Sequence, residues 1–320
     1  MTCIDAFKNI NIVSNGDSLR ISPCCYSPTV AVQSIEFKDN AYLTSIRNDW
    51  SNGAYPSACS KCEKQDSSGV TSRRVGSNQW YADNGHHDTV VDLIRMDYWT
   101  GDICNLRCAI CGPHNSSGWK QELNLPIKKA NVNRFWKNMD ISKLKFIHFN
   151  GGEPLLSKEH IVLLKEIPEK HLVHLNYNTN GTVTPSDELL ALWGEFKIVQ
   201  LDFSIDDIGD RFEYQRYPAK WDLVQLNLQW FIDNCPVNCM FAVNTTVSIL
   251  NYANLNNLST WLKENFKSNR VDDVITYRQQ PAHGLFSLGD NRLTPQMIKF
   301  LDDCDARRGT NWRNVFPELT

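Results

Sequence analysis

Apolar and polar residues alternate in blocks from about residue 88 onward, and the apolar blocks have the length of buried strands or of helices. Near-continuous runs of Val, Ile, Phe and Tyr are typical of strands that are covered on both faces of a parallel sheet. The runs that predict strands are 90–99, 144–150, 172–178, 198–205, 240–248 and 274–278.

Helical patterns separate these runs and cover residues 158–167, 187–196, 221–234 and 255–266. In the first of them, Ile161, Leu164 and Ile167 recur at helical spacing, and Pro185 stands where the second helix begins, a position at which proline is favoured. An alternation of strands and helices predicts an α/β fold with a parallel sheet. Six such units predict a partial β/α barrel rather than one closed at eight strands.

Residues 1–87 differ from the rest of the chain, because they are rich in Ser, Asn, Gly and Pro and show little apolar pattern. A small segment of this kind with clustered thiols is expected to need a metal in order to fold. We therefore divide the chain into an N-terminal cysteine-rich module, 1–87, and a barrel with a C-terminal helix, 88–320. The module's cysteines are Cys3, Cys24, Cys25, Cys59 and Cys62.

Composition narrows the class of protein. The chain has 320 residues, 42% of them hydrophobic, and a net charge of -3, which is enough for a sizeable core and gives no basic footprint for nucleic acid. No apolar run approaches the length of a membrane span, and the N-terminus lacks the apolar stretch of a signal peptide. These features predict a cytoplasmic protein, in which eleven cysteines indicate metal binding rather than disulfides.

Three of those cysteines follow the first predicted strand. Cys104, Cys108 and Cys111 form a C-x3-C-x2-C spacing. Three closely spaced thiolates can ligate three irons of a [4Fe–4S] cube and leave the fourth iron open to bind and reductively cleave a small molecule. A structural zinc site is the alternative, although zinc usually takes four nitrogen or sulfur ligands.

A second motif follows the second predicted strand, where the chain reads Gly151-Gly152-Glu153-Pro154. With the cysteine spacing, this turn resembles the radical S-adenosylmethionine (radical SAM) enzymes. The resemblance implies a (β/α)6 barrel, a [4Fe–4S] cluster and SAM, whose methionine amino group is bound by Glu153 and the two glycines. Glycine suits such a position because it lets the backbone approach a ligand closely.

The resemblance also assigns roles on the later strands. Ser204 and Asp206 match positions that contact the SAM carboxylate and ribose, Arg216 matches one that pairs with the carboxylate, and Asn244 matches a ribose or adenine contact. Four motifs stand at the carboxyl ends of predicted strands, where parallel barrels bind ligands: the cysteine loop, the glycine turn, the pair Asn180-Gly181, and Ser204 with Asp206. A plain loop cap is the alternative for Ser204 and Asp206, and an exposed surface residue is the alternative for Arg216.

Two positions depart from the family pattern. Ile110 stands before the third cysteine, where the family usually has an aromatic residue against the adenine, and Asp207 stands where it usually has glycine. Neither change affects cluster binding, but both bear on the adenosyl pocket.

The N-terminal module resembles the twitch or SPASM type of auxiliary iron–sulfur module, which usually lies C-terminal to the barrel. The matching features are a turn at Gly16, a cysteine at 24 or 25, and a C-x2-C pair at the end of the segment. Which of Cys24 and Cys25 binds stays open, and zinc is the alternative to iron. The predicted ligands are Cys3, Cys24, Cys59 and Cys62.

The first functional hypothesis is a radical SAM enzyme that makes a 5′-deoxyadenosyl radical and abstracts hydrogen from a peptide or protein, since auxiliary modules of this type most often occur in peptide-modifying members. The expected partners are SAM and a low-potential electron donor such as flavodoxin or ferredoxin, with no membrane and no nucleic acid. The second hypothesis is a radical SAM enzyme acting on a nucleotide, RNA base or small metabolite. The third is a catalytically silent iron–sulfur electron-transfer or binding protein.

Overall fold

The computed structural model describes residues 2–15, 18–127, 134–267, 276–281, 285–287 and 293–320. The turn predicted at Gly16 and the start of the strand predicted at 274–278 lie outside these residues. The strands are β1 Asn9–Asn15, β2 Ser18–Ser22, β3 Val30–Val32, β4 Arg95–Trp99, β5 Phe146–Asn150, β6 His174–Thr179, β7 Ile198–Phe203, β8 Cys239–Val247 and β9 Thr276–Pro281.

The helices lie between these strands and after them. They are α1 Asp5–Lys8, α2 Ala41–Ser51, α3 Ser60–Ser67, α4 Arg73–Asp83, α5 Ser117–Glu122, α6 Glu159–Glu166, α7 Asp187–Trp193, α8 Gly209–Gln215, α9 Trp221–Asn234, α10 Leu255–Asn265, α11 Pro295–Arg308 and α12 Trp312–Val315. None of the described helices is long and apolar enough to cross a membrane.

The described strands form one nine-stranded sheet in the order β3-β2-β1-β4-β5-β6-β7-β8-β9. The six strands that the sequence predicted correspond to β4 to β9, and each pairs in parallel with the next. The prediction of an α/β fold with a mostly parallel sheet is confirmed, and the sheet is consistent with a partial barrel. The four predicted barrel helices are α6, α7, α9 and α10.

No strand was predicted in residues 1–87, yet β1 to β3 extend the same sheet across the predicted boundary at residue 87. β1 pairs in parallel with β4, and β2 and β3 follow as antiparallel neighbours. Ile10, Ile12 and Ile21 are completely buried in the main core. Polar residues alternate with them, and this alternation is the apolar pattern of a strand with one buried face.

The two faces of β4 to β8 have opposite character. The outer face carries buried apolar residues, such as Phe149, Tyr177 and Leu201, which pack with residues of the barrel helices, such as Leu164 and Phe231, in one core. Successive side chains of a strand point to opposite faces, so the inner face takes the intervening positions. Those positions are largely polar. The cysteine loop and the glycine turn both follow the carboxyl ends of their strands, so they lie at the same edge of the sheet.

Candidate active site

Cys104, Cys108 and Cys111 lie on the loop between β4 and α5, and all three are partly buried. The first turn of α5 anchors this loop: Cys104 N–H donates to Ser117 Oγ at 3.0 Å, and Trp119 Nε1 donates to the Cys108 carbonyl at 3.0 Å. Burial raises the pKa of Cys104 to about 11. These thiols are therefore protonated at neutral pH without metal, and binding to iron would release their protons.

The Gly151–Gly152 turn is joined to this loop by main-chain hydrogen bonds. Gly152 N–H donates to the Gly101 carbonyl at 2.9 Å, and Glu153 N–H donates to the Ile103 carbonyl at 2.7 Å. A Cβ on Gly152 would lie 2.2 Å from that Ile103 oxygen, and Gly151 has a φ of 132°. Here the close backbone approach that requires glycine is to the cysteine loop itself, so the two motifs form one structural unit.

Glu153 is buried at the centre of this unit, and both of its oxygens are held. Oε1 accepts from Thr179 Oγ1 at 2.9 Å and from Leu155 N–H at 3.1 Å, while Oε2 accepts from Asn180 N–H at 2.7 Å. Burial raises the pKa of Glu153 to about 7 even though these donors favour ionisation. Thr179 and Asn180, at the carboxyl end of β6, had no role from the sequence. Their position at the end of a predicted strand was the one feature of the sequence that could have indicated a role in the site.

Asp206 and Arg216 form a buried ion pair, with Arg216 Nη2 2.8 Å from Asp206 Oδ2. Asp206 Oδ1 also accepts from Thr246 N–H at 2.9 Å, which ties the loop after β7 to β8. Arg216 is only 7% exposed, so the surface alternative for this residue is wrong. Burial raises the pKa of Cys108 and Cys111, and the charge of the nearby Arg216 guanidinium opposes part of that rise.

Ser204 and Asn244 occupy the same edge of the sheet. Ser204 is half-buried, and its N–H donates to the Thr179 carbonyl at 2.8 Å. Asn244 Oδ1 on β8 is buried and has no hydrogen-bond partner among the described residues. Ser204 is therefore joined to the strand that carries Thr179, and Asn244 lies beside Ser204 because Phe203 and Val243 are register partners.

Asp207, which departs from the family pattern, has a structural place. Its carboxylate accepts from Arg211 Nε at 3.0 Å and from Gln215 Nε2 at 3.2 Å, and it also bonds Asn254. It thereby joins α8 to the segment after β8. The second departure, Ile110, packs against the C-terminal cluster that includes Phe286.

The four cysteines predicted in the N-terminal module come together. Cys3, Cys24, Cys59 and Cys62 line one cavity, although they are up to 59 positions apart in sequence. Cys25 is exposed and is not part of this lining. Geometry thus favours Cys24 over Cys25.

Arg73 and Arg74 also line this cavity, which places positive charge beside the thiols. In the described part of the chain, no three His, Cys, Asp or Glu side chains converge on the position of a single metal ion. The ligands of a cube bind different irons and stand farther apart than those of one ion.

The central part of the chain is similar to a known protein family. Residues 100–249 match the model of the radical SAM superfamily. This segment contains the cysteine loop, the glycine turn and the Asp206–Arg216 pair. Proteins of this family use a [4Fe–4S] cluster and SAM, so the predicted cofactors agree with the match.

Two curated relatives are GTP 3′,8-cyclases. That of Haemophilus ducreyi is 26% identical over 113 residues, covering 34% of this chain and 32% of the relative. That of Synechocystis sp. is 28% identical over 108 residues, with the same two coverages. The chain thus spans about a third of the length of the curated relatives it matches.

Among solved structures, Streptococcus suis SuiB bound to its precursor peptide SuiA superposes with a TM-score of 0.44 and 12% identity. The overlap covers 97% of this chain and 74% of SuiB. An overlap this loose supports no conclusion about function.

Proposed function

We propose that the chain is a radical SAM enzyme that reductively cleaves SAM and abstracts a hydrogen atom from a peptide or protein, since residues 100–249 match the model of that superfamily. The observation that carries the proposal is the single unit formed by the cysteine loop and the glycine turn. Cys104, Cys108 and Cys111 would hold the [4Fe–4S] cluster, which supplies the electron that splits bound SAM into methionine and a 5′-deoxyadenosyl radical.

The residues around the loop fit these groups. Glu153 presents a fixed buried carboxyl that becomes fully charged above a pKa of about 7, and a cationic amino group would favour its ionised form. Arg216 Nε is buried and has no hydrogen-bond partner within the described residues. That free donor supports a role for Arg216 in binding the SAM carboxylate alongside its pairing with Asp206.

The remaining contacts are assigned by position. Ser204 and Asn244 would contact the SAM carboxylate, ribose or adenine, since each offers polar atoms on the edge of the sheet that carries Glu153. Asp206 would act mainly by holding Arg216, because one of its oxygens already accepts from the backbone at Thr246.

We further propose that Cys3, Cys24, Cys59 and Cys62 bind an auxiliary iron–sulfur cluster. Their shared cavity supports this assignment, because it is lined by four thiols that come from three separate segments of the chain. Zinc is the competing occupant, since four-cysteine sites bind it well. A low-potential donor such as flavodoxin or ferredoxin would supply electrons.

The charge of the inner face supports a peptide over a nucleotide. Its strand positions on β4 to β8 include two carboxylates, Asp97 and Asp202, and one cation, Arg95, which stacks 4.6 Å from the Trp80 ring. Arg95 begins β4 and so lies at the end of the strand away from the cysteine loop. Phosphates are usually bound by Arg or Lys, and Arg95 is the one such residue among these inner strand positions of β4 to β8.

A nucleotide is the second candidate substrate, favoured by the similarity to GTP 3′,8-cyclases. The test is to purify the full chain without oxygen, reduce it with dithionite, add SAM, and measure 5′-deoxyadenosine. A cell lysate is then supplied as separate protein, RNA and metabolite fractions, with GTP alone as a further arm. Stimulation by the protein fraction, with deuterium exchange between substrate and adenosyl group, is the expected result.

The other outcomes separate the alternatives. Stimulation by GTP or the metabolite or RNA fraction alone would replace the peptide by a small-molecule or nucleic-acid substrate. No SAM cleavage under any condition, in a protein that contains iron, would favour a silent electron-transfer protein. Alanine at Cys104, Cys108 and Cys111 should abolish SAM cleavage. Cys304→Ala is the matched control for that variant, because Cys304 is a buried cysteine of α11 outside both sites.

A further inference from the structure

A row of polar side chains crosses the inner face at one level. Asp97, His148, Asn176 and Gln200 are register partners on the four neighbouring strands β4 to β7. Buried strand positions are usually apolar, so a polar row at this depth calls for an explanation. Within the row, Asp97 and His148 are in contact, with Asp97 Oδ1 3.3 Å from His148 Nδ1.

Asp97 is held as a carboxylate. It is 2% exposed, and its Oδ2 accepts from Arg73 Nη2 at 2.9 Å and from Asn9 Nδ2 at 3.2 Å. Although burial acts against ionisation, the charge of Arg73 and the hydrogen bond from His148 hold the pKa of Asp97 well below its usual range. Its second oxygen, Oδ1, is therefore a charged acceptor aimed at the imidazole.

This contact fixes the tautomer of His148. A carboxylate can only accept a hydrogen bond, so Nδ1 must carry the proton and Nε2 is left as the acceptor. Asn150 Nδ2 lies 3.1 Å from the same Nδ1, and Asn150 Oδ1 accepts from Asn178 Nδ2 at 2.6 Å. We assign the proton to Nδ1 because Asp97 cannot donate; the Asn150 and Asn178 amides then both turn over, which keeps their mutual hydrogen bond and points the Asn150 oxygen at Nδ1. His148 Nε2 is buried and has no hydrogen-bond partner among the described residues.

We infer that His148 is a proton acceptor for the substrate on the inner face and that Asp97 is its positioning residue. The substrate group that it takes has an N–H or O–H bond, such as a peptide amide or a side-chain hydroxyl. In the step, that bond breaks, its electron pair stays on the substrate, and the proton forms a new N–H bond at Nε2. Asp97 remains ionised and stabilises the imidazolium, as in other carboxylate–histidine pairs.

The same contacts connect this pair to the N-terminal cavity. Arg73 lines the cavity of the four cysteines, and its Nη2 is the donor that holds Asp97. One guanidinium therefore faces both the thiols and the carboxylate that orients His148. The inference rests on the proposed function, because it gives that function's substrate a partner on the inner face.

The first experiment needs no substrate. Nitrogen-15 NMR of the full chain labelled at histidine, with His148→Gln to assign the signal, should show protonated Nδ1 and unprotonated Nε2. In Asp97→Asn, the oxygen should stay toward Arg73 and Asn9, which donate to it, so that the new amide N–H faces Nδ1. The ring should then change to the Nε2–H tautomer. A wild-type ring protonated at Nε2, or no change in Asp97→Asn, would overturn the inference.

The second experiment uses the protein fraction or peptide that stimulates SAM cleavage. The ratio of modified product to 5′-deoxyadenosine should fall at least tenfold in His148→Gln, a modest part of what acid–base groups contribute. The control is His171→Gln, which removes an exposed histidine of a distant loop. An unchanged ratio in His148→Gln would refute the role. If the wild type makes no 5′-deoxyadenosine, the proposed function fails, while the NMR result still decides on the pair.

Discussion

Replacing Glu153 by glutamine should change how the stability of the metal-free protein depends on pH. Folding buries this carboxyl and raises its pKa from 4.5 to about 7. In that interval the unfolded chain has lost the proton while the folded chain keeps it, so the stability of the wild type falls as pH rises. Below 4.5 the carboxyl carries no such penalty, and above about 7 the penalty is complete.

The size of the effect follows from the same interval. A tenfold change in proton affinity corresponds to 1.36 kcal/mol, so the full penalty is about 3 kcal/mol. Glutamine has no proton to lose, but it also disturbs the bonds from Thr179 and Asn180. That disturbance is the same at every pH, and the prediction therefore concerns the change with pH rather than the value at one pH.

The assay is urea unfolding of both proteins at pH 5 and at pH 8. The difference in unfolding free energy, wild type minus Glu153→Gln, should fall by about 2–3 kcal/mol between the two values. Glu264→Gln, which alters an exposed carboxylate of α10, should give a difference that does not depend on pH. A flat difference for Glu153→Gln would mean that the carboxyl is not held in a buried, charge-disfavouring site.

Three further outcomes are expected. Arg216→Lys should weaken SAM binding, measured by calorimetry on the cluster-loaded protein, by about 1–3 kcal/mol, because lysine keeps the charge but cannot form a bidentate fork; unchanged affinity would place Arg216 outside the SAM site. Alanine at all three loop cysteines should abolish SAM cleavage and leave roughly half of the iron, each cube being held by its own thiolates; zinc in that remainder would exclude an auxiliary iron–sulfur cluster. Gly152→Ala should lower the free energy of unfolding by about 1–3 kcal/mol, since its Cβ would lie 2.2 Å from the Ile103 carbonyl oxygen. Gly76→Ala, which has open space around it, should leave that free energy unchanged. Equal free energies of unfolding for the wild type and Gly152→Ala would show that the cysteine loop shifts easily to make room.

Sequence patterns predicted the barrel strands because each of them is covered on its outer face and repeats one apolar signature. They missed the first three strands, which are short and polar on alternate residues. Ile10, Ile12, Leu19 and Ile21 mark their buried side. A strand with few apolar residues can be identified only from the strand it pairs with. β1 pairs with β4, which lies more than 80 positions later in the chain, so a local pattern could not reveal it.

Local chemistry could be predicted from the chain alone: the spacing of the loop cysteines, the glycine turn, and polar residues at strand ends. Which of these residues meet depends on the folded arrangement of the strands and loops. It joined the glycine turn to the cysteine loop, brought Cys3, Cys24, Cys59 and Cys62 to one cavity without Cys25, and set His148 against Asp97. Spacing along the chain constrains only neighbours, whereas contacts between distant residues depend on strand order and register, which short patterns do not encode.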